Sequence, residues 1–111
     1  MLINSKRFLR RLEKINNVKI NSKNIGINLL SKKQKDISRY FSLKNSSWNN
    51  TEYILTKKNS VPMIKDCVAN LHCKKNKVIK EGDHFLFICK ILEIQIDNTK
   101  KPLIYFNSKY L

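Results

Sequence analysis

The chain has 111 residues, 41% of them hydrophobic, and a formal net charge of +15. This length predicts one domain over residues 1–111 with a modest core, and no apolar run approaches the roughly 20 residues that a membrane span needs. Lys6, Arg7, Arg10 and Arg11 interrupt the first apolar residues, which argues against a secretory signal. We therefore expect a cytoplasmic protein without a membrane partner.

The positive charge comes mostly from lysine. Lysine supplies 19 of the 23 basic residues, and Lys, Asn and Ile together make 47 of the 111 residues. This is the composition that A/T-rich codons produce, and the lysines form no arginine-rich stripe with interleaved aromatic residues. A solvated, compositionally biased surface is the favoured interpretation, and a nucleic-acid-binding module stays as a less favoured alternative.

The three cysteines indicate neither a disulfide framework nor a metal site. Cys67, Cys73 and Cys89 are odd in number and contain no CxxC pair. His72 precedes Cys73, but neighbours on a strand point to opposite faces, so the pair is not expected to share a ligand. The sequence predicts no metal.

Residues 1–24 are predicted to form a divergent helix and loop. Ser5 is placed to cap a helix, and the apolar residues that follow recur at helical spacing: Phe8, Leu9, Leu12 and Ile15. Basic residues occupy the opposite side. A membrane-surface or targeting helix is the alternative, but a helix with one face on the core is favoured.

The next segment carries the clearest local signals. Residues 25–30 form a short apolar strand, in which Asn28 is expected to be half exposed. Ser31 and Gln34 then fit a capping box, in which each side chain satisfies a free backbone donor of the other. The sequence predicts a helix from there to about residue 41.

The middle of the chain alternates loops and short strands. Residues 43–50 are loop-like with Trp48 as the apolar anchor, for which docking on the core is favoured over a ligand wall. A short strand is predicted at 53–56, and residues 61–64 lead into a half-buried strand at 66–78.

The most apolar stretch follows a Gly82-Asp83 turn signal. Residues 85–96 are apolar on both alternating sets of positions, which predicts a buried central strand. Residues 103–106 are expected to pair with it, with Pro102 at the entry where its missing N–H costs least. The fold class predicted is mainly β, antiparallel, with one or two helices.

The order and spacing of these segments resemble the flavin reductase-like family over residues 25–110. The resemblance is carried by six stretches together, none of them diagnostic alone: Ile-Gly-Ile-Asn-Leu-Leu-Ser-Lys-Lys-Gln at 25–34, the apolar residues of 37–41, Val-Pro-Met-Ile at 61–64, Leu-His-Cys at 71–73, Glu-Gly-Asp-His-Phe-Leu-Phe-Ile at 81–88, and Pro-Leu-Ile-Tyr-Phe-Asn-Ser-Lys-Tyr near the end.

This resemblance implies a partial FMN-binding split β-barrel with NAD(P)H:flavin oxidoreductase activity. The implied cofactor is FMN or FAD with NAD(P)H as co-substrate, and the implied partners are a second copy in a homodimer and a monooxygenase component. His84 is implied as the catalytic residue at the nicotinamide and flavin site. The implied cofactor-binding residues are Asn28, Leu30, Ser31, Gln34, Asp83, His84, Phe85 and Phe87.

The departures from the family pattern carry expectations of their own. The family's first strands have no counterpart before residue 25, so the resemblance implies an N-terminally truncated domain with weak activity. Asn107-Ser-Lys-Tyr110 stands where the family has a more basic, Gly-containing turn, and Cys89 stands where Gly is common. A decayed remnant that binds nothing is the alternative to a weak flavin reductase.

Overall fold

The structure is a computed structural model that describes residues 23–43, 47–49 and 51–111. The helix predicted within residues 1–24 lies outside this part of the chain. The described elements, in chain order, are β1 (Asn24–Leu29), a 3-10 helix (Lys32–Gln34), α1 (Lys35–Phe41), β2 (Tyr53–Leu55), β3 (Pro62–Ile64), β4 (Ala69–Glu81), β5 (His84–Ile96), β6 (Tyr105–Phe106) and β7 (Lys109–Tyr110).

The predicted fold class, mainly β with a short helix, is confirmed. The largest sheet has the order β1-β4-β5, and β2-β3 and β6-β7 form two small antiparallel sheets. Both pairings of the large sheet are antiparallel. Within the described residues the sheets do not close into a barrel.

A two-residue turn joins β4 to β5. Glu81 pairs with His84, and Gly82 at the first turn position has a φ of +60°. A two-residue hairpin with glycine at the first central position matches the right-handed twist of its strands. The predicted Gly82 turn therefore fixes the register of the longest hairpin in the described structure.

The hydrophobic core lies between β1, β3 and the first half of β4. Its buried apolar residues are Val61, Met63, Ile64, Cys67, Ala69 and Cys73. His72 and Cys73 are both about 2% exposed, and a register irregularity of the β4–β5 pairing lies between them. Both faces of β4 are therefore buried at this point, which is compatible with neighbours that point to opposite faces.

Two predictions about the last third of the chain are wrong. Residues 85–96 form a strand, but β5 pairs on one side only and is an edge of the described sheet, whereas the lysine-rich β4 is central. The side chains of β5 are half-buried or exposed. Residues 103–106 do not pair with β5 either, because β6 pairs with β7.

The helical segment and the Trp48 loop follow the sequence signals. The capping-box pairing of Ser31 and Gln34 is formed, and the helix ends at Phe41 as predicted. The Trp48 ring lies 5.0 Å from the Phe41 ring and 4.9 Å from the Tyr53 ring. Trp48 therefore docks its loop between α1 and β2, as favoured from the sequence.

Candidate functional site

The start of the helical segment opens into a cleft of about 780 Å³, which we call the lysine cleft. Five lysines and two acidic residues line it, a local excess of three positive charges. The lining residues are Ser31, Lys32, Lys33, Gln34, Ile37, Thr51, Glu52, Lys65, Asp66, Thr99, Lys100 and Lys101. Ammonium groups and hydroxyls are donors to phosphate oxygens, so this lining fits an anion.

Ser31 and Gln34, both predicted from the sequence, form the inner wall of the lysine cleft. Gln34 Oε1 accepts from the Ser31 N–H at 2.9 Å, and Gln34 Nε2 donates to the Lys65 carbonyl at 2.6 Å. Both residues are buried. The Gln34 amide therefore ties the helix start to the β3–β4 connection and fixes the wall from which the lysines extend.

The segment between β5 and β6 forms the opposite wall. The Lys32 N–H donates to the Lys101 carbonyl at 2.8 Å, and Ser31 and Pro102 form an isolated bridge. Thr99, Lys100 and Lys101 were not predicted as site residues. They are far from Ser31 in the chain, and no spacing in the sequence connects the two segments. Their clustering of donors beside a proline was the one available signal.

Lys100 is held as a cation within this wall. Its Nζ lies 3.2 Å from Asp66 Oδ1 and 3.5 Å from Asp97 Oδ2. Burial alone would lower the pKa of Lys100, but the hydrogen bonds and charges of Asp66 and Asp97 outweigh it and raise the pKa. The Thr99 hydroxyl and N–H hold the pKa of Asp97 below its ordinary value, so the carboxylate also persists.

Asn28 and Leu30 have structural contacts beside the cleft. Asn28 Oδ1 accepts from the Ile64 N–H at 3.0 Å and from Asn70 Nδ2 at 2.7 Å. The Leu30 carbonyl accepts from the Leu103 N–H at 2.9 Å. Neither residue lines the lysine cleft. Asn28 therefore connects β1, β3 and β4 through hydrogen bonds. It is half-buried, which agrees with the half-exposed strand residue expected from the sequence.

The other four predicted site residues lie at the far end of the β4–β5 hairpin. His84 Nδ1 and Asp83 Oδ1 are 2.5 Å apart, and the His84 side chain is 43% exposed. Phe85 and Phe87 are half-buried, and Lys75 Nζ lies 6.0 Å from the Phe87 ring centroid. This end combines an accessible imidazole with two aromatic rings.

The structure does not bring the two groups of predicted residues together within one chain. Leu29 pairs with Ala69 at one end of the 13-residue strand β4, and His84 pairs with Glu81 at the other. Ser31 and Gln34 line the lysine cleft, whereas His84 and its neighbours do not.

The described residues hold no candidate metal centre. Among them, no three His, Cys, Asp or Glu side chains cluster in a way that would bind a metal ion. None of the helices in this part of the chain combines the length and hydropathy that a transmembrane helix requires.

Comparison with known proteins identifies a family. The family model described as "Flavin reductase like domain" matches residues 9–111. The NADH-dependent flavin reductase StyB of Pseudomonas fluorescens is 29% identical over 87 residues, which is 77% of this chain and 51% of that protein. These matches agree with the resemblance drawn from residues 25–110.

Solved structures agree with the fold. The styrene monooxygenase flavin reductase of Pseudomonas putida S12 superposes with a TM-score of 0.67 at 25% identity, over 79% of this chain and 56% of that one. The Streptomyces globisporus NADH:FAD oxidoreductase SgcE6, in complex with NAD and FAD fragments, gives 0.78 at 16% identity, over 82% and 56%. The chain spans 37% to 51% of the length of the curated relatives that it matches.

Proposed function

Because this chain belongs to the flavin reductase-like family, we propose that it binds a flavin and supports hydride transfer from NAD(P)H to that flavin. The bound flavin would supply the redox chemistry by accepting hydride from the nicotinamide. The protein's own task is then to hold and orient two rings and their phosphates, which needs no protein nucleophile. The exposed position of His84 and the cationic lining of the lysine cleft both suit that task.

The lysine cleft is the observation that carries the proposal. Its donors fit the phosphate of FMN or the pyrophosphate of FAD, and Lys100 stays charged between two carboxylates. The Gln34 amide holds the backbone of Ser31 and Lys65, so the inner wall is in place before a ligand arrives. We assign the flavin phosphate to this cleft, with Ser31 and Gln34 as its supporting wall.

The flavin ring needs a surface that the lysine cleft lacks. Among the lining residues Ile37 is the one large apolar side chain, and none is aromatic. Phe85, Phe87 and His84 offer such a surface, but at the far end of the hairpin. We propose that a second copy of the chain brings its hairpin tip to the lysine cleft, so that a homodimer completes each site. The exposed edge strand β5 is consistent with such pairing.

His84 is proposed to act at the nicotinamide in this arrangement. An imidazole donates or accepts a hydrogen bond near neutral pH, and so can hold a carboxamide edge. The Asp83 carboxylate at 2.5 Å orients the ring. By the names of its relatives, the reduced flavin would pass to a monooxygenase component, which we include in the proposal.

The phosphate assignment is tested by comparing FMN with riboflavin, which lacks the phosphate. FMN fluorescence quenching should give an affinity no better than micromolar, roughly −8 kcal/mol. The double variant Lys32→Gln/Lys101→Gln should weaken FMN about tenfold and leave riboflavin unchanged. Lys57→Gln/Lys58→Gln removes two exposed charges outside the cleft and serves as the matched control. Equal losses in both double variants would contradict a phosphate site in the lysine cleft.

The shared site is tested by mixing two variants. His84→Ala should lower NADH oxidation more than flavin binding, while Lys32→Gln/Lys101→Gln should lower flavin binding. If each site takes its cleft from one copy and His84 from the other, mixed dimers of the two variants contain one intact site, and about a quarter of the activity should return. No recovery in a mixture shown to exchange subunits would refute the second-copy arrangement, and no flavin binding by the unmodified chain would favour the decayed-remnant alternative.

A further inference from the structure

A second cleft of about 810 Å³ lies where α1 meets the β6–β7 hairpin, and we call it the tyrosine cleft. It shares no lining residue with the lysine cleft. Lys35 and Arg39 reach it from successive turns of α1, and Tyr105, Lys109 and Tyr110 from the hairpin. The cleft therefore joins three cations and two aromatic rings from segments about 70 residues apart in the chain.

The aromatic part of the cleft is partly fixed and partly open. The Tyr105 and Tyr110 rings lie 5.0 Å apart at 58°. Ser38 Oγ and the Tyr110 hydroxyl are 2.9 Å apart, which anchors Tyr110 to α1. Tyr105 is 63% exposed. One ring is thus held in place while its neighbour presents a face to solvent, which is the arrangement that stacking against a ligand requires.

The cations lie beside these rings. The Arg39 guanidinium is 5.4 Å and Lys35 Nζ is 6.0 Å from the Tyr110 ring centroid. Among the described residues no carboxylate lines the cleft, and Arg39 contacts Asp36 at 3.9 Å in a pair whose side chains are both largely exposed. Such a pair is weak, so the guanidinium is accessible to a stronger anion.

From this juxtaposition we propose that the tyrosine cleft binds a nucleoside phosphate. The base would stack on Tyr105, and the phosphates would be held by Lys35, Arg39 and Lys109. A simple anion would leave the exposed ring unused, and an apolar ligand would leave three cations without a partner. Planar base and phosphate together satisfy both halves of the lining. The site does not depend on flavin binding in the lysine cleft.

An adenosine phosphate is the probe that covers the main sources of such a ligand. The same group occurs in free ADP and as one half of NADH and of FAD. Equilibrium dialysis of labelled ADP against the full chain should give saturable binding, with adenosine and inorganic phosphate each at least tenfold weaker. Competition then separates the sources: displacement of ADP by NADH or by FAD, but not by FMN, identifies a dinucleotide, and displacement by neither identifies a free nucleotide.

Variants test the two halves of the lining separately. Arg39→Gln should weaken ADP at least tenfold and flatten its salt dependence, and Tyr105→Ala should weaken it several-fold while Tyr105→Phe retains binding. Lys57→Gln is the control for loss of one exposed charge. Absence of saturable ADP binding, equal binding of phosphate and ADP, or an equal loss in Lys57→Gln would each overturn the proposal.

Discussion

The two long strands of the main sheet have opposite relations between composition and burial. β4 carries Lys74, Lys75, Lys77 and Lys80, yet its first half contains the most buried side chains of the described structure. β5 is almost continuously apolar, yet Leu86, Ile88, Leu92, Ile94 and Ile96 are 41% to 62% exposed. Burial here depends on which elements lie against a strand: β1 pairs with the first half of β4, and β3 contacts both β1 and β4.

The difference leaves β5 with exposed apolar side chains and, within the described residues, with one unpaired edge. An apolar strand with an unpaired edge is a template for pairing. Cys73 and Ile91 make the comparison sharp, because they are directly paired across the two strands while Cys73 is 2% exposed and Ile91 is 52% exposed. Four predictions use this contrast, in order of decreasing effect.

The largest effect is expected from a charge placed on β4. Cys73→Asp buries a carboxylate without a partner and should cost at least about 3 kcal/mol, a large part of the stability of a small domain. Ile91→Asp, across the same pair, should cost the isolated chain only about 1 kcal/mol. Urea unfolding of both variants measures the difference. Equal losses would show that the β5 side of the pair is covered as well.

A smaller loss is expected where β1 approaches β3. A Cβ at Gly26 would lie 2.7 Å from Val61 Cγ1 and 3.0 Å from the Pro62 carbonyl oxygen, so Gly26→Ala must push apart the elements that cover β4. We expect a loss of about 2 kcal/mol in thermal or urea unfolding. Gly82→Ala is the control, because a Cβ at this position would contact no other atom. Its expected cost is that of a non-glycine residue at a φ of +60°, about 1 kcal/mol. The reverse order would contradict the close packing of β1 on β3.

The features that the sequence predicted correctly are those whose signals come from residues close together in the chain. The capping box of Ser31 and Gln34 and the Gly82 turn are local, and both are confirmed. The positions of β4 and β5 in the sheet are not local, because an apolar run indicates that a strand needs cover without saying whether this chain supplies it. For that reason β5 was predicted to be the central strand, whereas the lysine-rich β4 is central in the structure.

The candidate site shows the same division. Ser31 and Gln34 were found through their helix signal, whereas Lys65 and Lys101 come into the cleft only through the tertiary fold. The resemblance implied a turn at 107–110, but the pairing of β6 with β7 was not predicted, because the turn residues Asn107 and Ser108 have φ values of 51° and 60° that the sequence signals weakly. Family resemblance supplied His84, but the length of β4 separates it from Ser31.

The face of β5 that carries the exposed residues Ile94 and Ile96 should control association. Ile94→Glu places a charge on this face and should weaken self-association at least tenfold, whereas Glu93→Gln alters the opposite face and should leave it unchanged. Sedimentation velocity over a range of concentrations measures both. A dimer that survives Ile94→Glu unaltered would show that this face is not the contact, and would leave the hairpin tip as the remaining surface for a second copy.

The smallest effect concerns the thiols of the two strands. Burial raises the pKa of Cys73 on β4, with a further increase from the charge of Cys89, and burial raises the pKa of Cys89 on β5 against a lowering by Lys75. The folded chain therefore keeps these protons at a pH where the unfolded thiols have lost theirs. The resulting stabilisation is complete below the ordinary thiol pKa of about 8.5 and is lost as the pH rises through the raised values of the folded state.

Two measurements follow from the raised thiol pKa values. The free energy of unfolding should fall as the pH rises above about 8.5, and Cys73→Ala should reduce that fall, which separates the thiol from the titration of the lysines. Iodoacetamide at pH 8 should also alkylate half-buried Cys89 faster than buried Cys73, by roughly tenfold, since the thiolate is the reacting form and needs access. Equal alkylation rates in the folded chain would mean that β4 opens as readily as β5, and the contrast between the two strands would not hold in solution.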